Sequence, residues 1–322
     1  MISEKLANYA YNLKYEDLSE EVIHQVKRHF IDALGCAIGA KEEAPIQIIK
    51  KTFSDSKRNS SLNALLYGAM IRYFDYNDTY LSKEPAHPAD NFGGILAYAK
   101  EINARPKDFI LASALAYEIQ CRLCDASSLR KNGWDHVIYG AVSQALAVGK
   151  LIGLNKEQLT QAINLNLSTN ISTRQVREST ELSMWKACAF SNVARNAIIC
   201  CKLAKRSMHG PNEIFEGKYG IINMLNLNNF KLNIDNFGKK KGHFKILDCW
   251  LKYWPAEIHS QSAIHAALEL RQEIKNLDYI EKIEVNTHES CYNIIGKGKE
   301  KWNPKTRETA DHSIPYLVGA VL

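Results

Sequence analysis

The chain has 322 residues, 46% hydrophobic and 24% charged, with a net charge of +6, a mix expected of a soluble globular protein large enough for two domains. No window holds the roughly 18 uninterrupted apolar residues of a membrane span, and Met1 to Asn12 includes Glu4 and Lys5 rather than a signal-peptide core, so a cytoplasmic protein is expected. The basic residues are spread along the chain, and their one tight cluster, Lys239 to Lys241, reads as a solvated loop rather than a nucleic-acid stripe.

Taken in chain order, Val22, Ile23, Val26, Phe30, Ala33, Leu34, Ala37 and Ile38 recur at helical spacing behind the capping residues Asp17, Ser19 and Glu20, predicting an amphipathic helix to about Gly39. Similar Ala-rich periodicity predicts helices around Leu65–Tyr73, Gly93–Ile102, Lys107–Cys124, Val137–Ile152, Lys156–Leu167 and Trp185–Ala204. From Ile222 to His243 the chain turns rich in Asn, Gly and Lys, the mark of an irregular connection. A helix is expected over His259–Ile274, and Ile283, Val285 and Thr287 then alternate with polar residues in the period of a half-buried strand. The fold class is therefore mainly α: a helical domain over 1–254, then a smaller α/β domain over 255–322. The last residues, "IPYLVGAVL", stop inside an apolar run with no capping residue behind it, so this second domain is expected to be truncated.

The eight cysteines sit in apolar surroundings, as expected of a reduced intracellular protein. Cys121 and Cys124 form a C-x-x-C, but inside a helical pattern and without a second pair or matching histidines, so helix packing is the favoured reading and no metal site is expected.

Four polar clusters have the residue types of a site. "FDYNDTYLSKEPAHPADN" gathers Asp75, Asp78, Thr79, His87, Asp90 and Asn91 in one connection between apolar helices, either as a site held by a rigid scaffold or as helix caps. In "RKNGWDHVIYG", Asp135 and His136 precede a helix, where they either cap it or do acid/base work. Lys186 enters an otherwise small, apolar helix with Arg174 and Arg177 upstream; it either meets an anion or reaches solvent. In "CWLKYWPAEIHSQSAIH", Lys252, His259 and His265 flank Pro255 at the expected domain junction, with Trp250, Tyr253 and Trp254 placed to pack beneath Lys252. G-x-G-x-x-G, P-loop, G-x-S-x-G and H-E-x-x-H motifs are all lacking, which leaves nucleotide, serine-hydrolase and zinc-protease readings without support.

In this order, "HFIDALGCAIGA", "DYNDTYLSKEPAHPADNFGGILAYAKE", "GWDHVIYGAVSQALAVGKLIGL", "RQVRESTELSMWKACAFSNVARNA", "GPNEIFEGKYG", "KYWPAEIHSQSA" and "TADHSIPYLVGAVL" resemble the MmgE/PrpD family nearly end to end. The family includes 2-methylcitrate dehydratase, cis-aconitate decarboxylase and iminodisuccinate epimerase, and "HPADNFGGILA", "GWDHV" and "ELSMWKACAFSNVARN" look most like the first branch. The resemblance implies an active site between a helical domain and a lid, built from Asp75, Thr79, His87, His136, Lys186 and Lys252, in a homodimer that needs no cofactor.

The implied reaction, dehydration of a small tricarboxylate, removes a proton alpha to a carboxylate and expels hydroxide. Lysines 186 and 252 are then expected on the substrate carboxylates, with Thr79, Arg177 and His259 as further binding groups. His87 and His136 are the acid/base candidates, in unassigned order, and Asp75 orients one of them. Decarboxylation or epimerisation by the same residues, and a non-catalytic scaffold or pairing partner, are the alternatives.

Overall fold

The computed structural model describes residues 1–54 and 59–322. Leu6, Ala7 and Ala10 are buried at three- and four-residue spacing, which seats α1 (Ile2–Asn12) on the core. The predicted capping signal opens α2 (Glu20–Gly39): Ser19 Oγ accepts from Val22 N at 3.3 Å, with Glu20 and Glu21 in the first turn. Next come α3 (Ala44–Thr52) and α4 (Ser60–Arg72), the latter capped by Asn59 Oδ1, which accepts from Ser61 N and Leu62 N. The periodicity did not single out α1 or α3, which are short.

The expected helices follow as α5 (Asn91–Ile102), α6 (Pro106–Ala126), α7 (Val137–Ile152), α8 (Lys156–Thr169) and α9 (Trp185–Lys205). Their ends obey local chemistry: Asn103 and Gly153 close α5 and α7 in the left-handed region, and Asn155 and Gln158 form a capping box on α8. Helix α7 is buried without a break from Val137 to Gly149 and packs against α6, α8 and α9. Helices α4, α5 and α9 cross closely because glycine lies at the contacts: a Cβ on Gly93 would stand 2.6 Å from Gly68 Cα, and one on Gly68 would stand 2.5 Å from Ser191 Cβ. No helix among the described residues is long and apolar enough to cross a membrane.

After α9 the chain is largely irregular, as expected from its Asn-rich text, apart from α10 (Ile221–Met224) and single turns. Then come α11 (Gln261–Glu273), α12 (Glu289–Cys291), α13 (Arg307–Ala310) and α14 (Ile314–Val321). Ala267, Cys291, Ile295, Ile314 and Val318 form a small cluster of their own.

The expected α/β character of this last segment is not found. Residues 280–288 have no regular structure, and Ile283 and Val285 are 51% and 39% exposed. The described residues contain only isolated bridges, Thr79 with Trp250, Tyr80 with Ala86 and Trp134 with Thr173. Alternation marks two faces, but a strand also needs a neighbouring edge for its amides and carbonyls, and none lies alongside.

Candidate active site

Asp75 is the centre of the site. It ends the turn after α4 with φ of 51°, a left-handed conformation that Asp tolerates better than most residues, and it is fully buried. Arg72 Nη1 donates to its Oδ1 at 2.5 Å, Lys252 Nζ to its Oδ1 at 2.9 Å and to its carbonyl at 2.5 Å, and Lys186 Nζ to its Oδ2 at 3.3 Å. His312 Nε2 lies 3.1 Å from Oδ2. Burial alone would raise the Asp75 pKa, but Arg72, Lys186, Lys252 and His312 hold it well below the usual carboxylate range. The lysine at 186 bridges to a second carboxylate, Asp311 Oδ1, at 3.2 Å, and Arg307 Nη1 reaches Asp311 Oδ2 at 3.1 Å.

Sequence reasoning placed Lys186 and Lys252 on a ligand; here both already have a buried anionic partner inside the protein. Of the aromatic residues expected to pack beneath Lys252, Trp250 and Tyr253 are instead 60% and 74% exposed. What Trp250 does is fix Thr79, through paired backbone hydrogen bonds of 2.8 Å in each direction.

His87 and His136 face each other, ring centroids 5.7 Å apart, on the wall of one cleft with Asp75, Thr79, Arg177 and His259. His87 Nδ1 donates to the Asp78 carbonyl at 2.8 Å and lies 3.3 Å from Thr79 Oγ1, which leaves Nε2 with its lone pair, 3.9 Å from Asp75 Oδ1. Asp78 is itself clamped: its carboxylate accepts from Tyr117 Oη at 2.6 Å and Ala89 N at 2.8 Å and meets His29 Nδ1 at 2.7 Å. Burial pushes His87 well below its ordinary value, helped by Arg72 and Lys252, and pushes His136 down to about 3 against the pull of Asp135. Both rings are thus neutral near pH 7.

Of the two roles left open for Asp135 and His136, the structure gives Asp135 the cap. Asp135 Oδ1 accepts from Val137 N at 3.1 Å at the start of α7, while Oδ2 accepts from Arg177 Nε at 2.7 Å. His136 Nε2 is buried with no hydrogen-bond partner, as are Arg177 Nη1 and Nη2. Unpaired buried polar atoms around a cleft are where a polar ligand repays desolvation.

The cleft also takes Glu257 and His259 from the turn before α11. His259 N donates to Glu257 Oε2 at 2.7 Å, and Glu257 N donates to the Asp311 carbonyl at 2.9 Å. Burial pushes Glu257 up to about 7, against the pull of Lys252, and pushes His259 down to about 4 with help from His288. His312 is also lowered to about 4, by burial and then Lys186, although its Nδ1 lies 2.5 Å from Asp311 Oδ1.

Among the described residues, one group of carboxylates and histidines is close enough to share a metal ion: Asp75, Asp311 and His312, with ligand atoms within 4.8 Å of one another. Lys186 Nζ sits 3.3 and 3.2 Å from the two carboxylates. An ammonium already holds the place of a cation there, so the donor set fits an internal ion-pair network better than a metal.

Residues 4–233 match the model of the MmgE/PrpD N-terminal domain, and residues 254–322 match that of the MmgE/PrpD C-terminal domain. The chain belongs to the MmgE/PrpD family. It is 29% identical over 97% of its length to 2-methylcitrate dehydratase of Escherichia coli (strain K12), covering 69% of that protein. It is 31% identical over 79% of its length to 2-methylcitrate dehydratase of Cupriavidus necator, covering 54% of it. To the mitochondrial 2-methylcitrate dehydratase of Yarrowia lipolytica it is 28% identical over its full length, covering 66% of it.

In this MmgE/PrpD chain the cleft draws on both matched segments: Asp75, His87 and His136 from the first, Glu257, His259 and His312 from the second. Arg72, Glu257, Lys301, Asp311 and His312 were missed as site residues by sequence reasoning. "TADHSIPY" carried part of the family likeness, and its Asp-His pair, followed by a capping Ser and Pro, was the available signal.

Proposed function

We propose that the chain is a hydro-lyase of the 2-methylcitrate dehydratase kind, which removes water from a small hydroxy-polycarboxylate by acid/base chemistry. The observation that carries this reading is the pairing, around one cleft, of histidines whose pKa is lowered with a carboxyl whose pKa is raised. Two titratable groups pushed apart in this way supply a base and an acid at the same pH.

His87 is the better base, because donation from Nδ1 to the Asp78 carbonyl fixes the lone pair on Nε2 toward the cleft. It takes the proton from the carbon alpha to a carboxylate, and the electron pair left behind forms the alkene as the C–O bond breaks. The hydroxyl leaves as water with a proton from Glu257, the buried carboxyl still protonated up to about pH 7. His136 is the second neutral imidazole and hydrogen-bonds substrate through Nε2, Thr79 and His259 line the same cleft, and Arg177 offers its unpaired Nη groups. Asp75 stays ionised because Lys186 and Lys252 hold it, and its charge favours the imidazolium that forms on His87.

The relatives named above are 2-methylcitrate dehydratases, which supports this reading. Product analysis tests the reading: incubation with 2-methylcitrate should give the unsaturated tricarboxylate and water. Release of carbon dioxide from cis-aconitate, with 2-methylcitrate untouched, would place the chain with another chemistry instead.

A further inference from the structure

We infer that the substrate's carboxylates are held by Arg130, Arg177 and Lys301, and that Lys186 and Lys252 serve Asp75 instead; this rests on the polycarboxylate reading above. The distinction is one of vacancy. Lys186 and Lys252 spend their donors on Asp75 and Asp311, and Arg72 turns Nη1 to Asp75 with Nε 3.8 Å from Asp90 Oδ2. Of the other cations that line the cleft, Arg174 is paired with Glu178 and Asp135, while Arg130, Arg177 and Lys301 keep donors to spare.

Lys301 is the least expected of them. It lies in the turn Lys299–Trp302, is 9% exposed, and its Nζ has no hydrogen-bond partner and no carboxylate within 4 Å among the described residues. Its backbone is pinned beside the site, because Ser313 Oγ, next to His312, donates to the Lys301 carbonyl. An ammonium on the cleft wall without a protein partner is free to take an anion. Arg130 stands on another wall and is also without a side-chain partner among the described residues. Its turn is set by buried Glu84, whose Oε2 accepts from Leu129 N at 2.7 Å and Arg130 N at 2.9 Å. Arg177 is aimed by the Asp135 contact to Nε, and its two Nη groups stay unpaired, the fork geometry that fits a carboxylate.

Three cationic side chains with free donors around one cleft suit a tricarboxylate, one carboxylate to each. The preferred ligand class is therefore a small tricarboxylate, whose carboxylates contact guanidinium and ammonium groups contributed by both matched segments of the chain.

Tricarballylate, which has three carboxylates and no hydroxyl to lose, tests this by calorimetric titration of the full chain. Wild type should bind it, and Lys301→Met and Arg130→Met should each weaken binding roughly tenfold or more, the loss of one charge-assisted hydrogen bond. Lys301→Arg should recover most of the loss, which separates charge from folding. Lys239→Met, outside the cleft, should bind as wild type does. If Lys301→Met and Arg130→Met bind as tightly as wild type, or Lys239→Met loses as much as they do, this assignment is overturned while the polycarboxylate reading stands. Absence of binding by folded wild type overturns both.

Discussion

Lys252 and Asp75 are joined twice across the molecule: one ammonium donates to the Asp75 carbonyl at 2.5 Å and to its Oδ1 at 2.9 Å. The contact fixes both the charge and the left-handed backbone of Asp75, so a single residue after the middle of the chain sets the geometry of a turn near its start. Asp75→Asn tests its weight. Asn tolerates the left-handed region, so the substitution removes charge while sparing the backbone, and leaves Arg72, Lys186 and Lys252 buried without their shared anion. Urea unfolding should show a loss of about 3–5 kcal/mol. A loss under about 1 kcal/mol would mean that the three cations find other partners.

Stability should depend on pH through His136. Its pKa is lowered from 6.5 when unfolded to about 3 when folded, so between these values the unfolded state binds more protons. Its contribution is fully present above about pH 6.5 and is lost as pH falls toward 3, by at most about 1.4 kcal/mol per pH unit. Glu257, raised to about 7, acts in the opposite sense, with stability lost as pH rises from 4.5 to 7. The two are separated by comparison: His136→Asn should lose less stability than wild type between pH 6 and pH 4, and parallel curves would refute the assignment.

Turnover should report the same groups. With a neutral histidine as base and protonated Glu257 as acid, kcat/KM for dehydration should fall on the alkaline side with a midpoint near pH 7. Glu257→Gln should abolish that limb and lower the rate by about 10² or more. If the limb survives in Glu257→Gln, the proton comes from elsewhere.

The close crossing of α4 and α5 is open to an independent check. Gly93→Ala places a methyl group 2.6 Å from Gly68 Cα, against backbone that cannot step aside without separating the helices. Thermal unfolding should show a destabilisation of about 1–3 kcal/mol. Unchanged stability would indicate that the helices part more easily than their packing implies.

The long helices were legible because their apolar spacing records a buried face: α2 and α5 to α9 fall close to where periodicity placed them. Asp75, Thr79, His87, His136, Arg177 and His259 were legible as polar residues set in apolar text, and the structure brings them to one cleft. The direction in which a buried cation points was not. Local text says that Lys186 needs an anion, but not whether that anion is a ligand or Asp75 and Asp311, which are supplied by distant parts of the chain. Arg72 lies within a helical stretch and Lys301 within a lysine-rich one, and neither burial nor vacancy is written locally. The alternation at Ile283 to Thr287 misled for the same reason: strand pairing depends on a partner that the pattern does not contain.

The most direct measurement is ultraviolet absorbance of the conjugated alkene formed when the purified chain meets 2-methylcitrate, in wild type and His87→Ala side by side. Wild type should give a steady rise and His87→Ala one slower by about 10²- to 10⁴-fold, with both proteins folded by circular dichroism. Equal rates would remove His87 as the base, and no rise in folded wild type would contradict dehydration of this substrate by this chain.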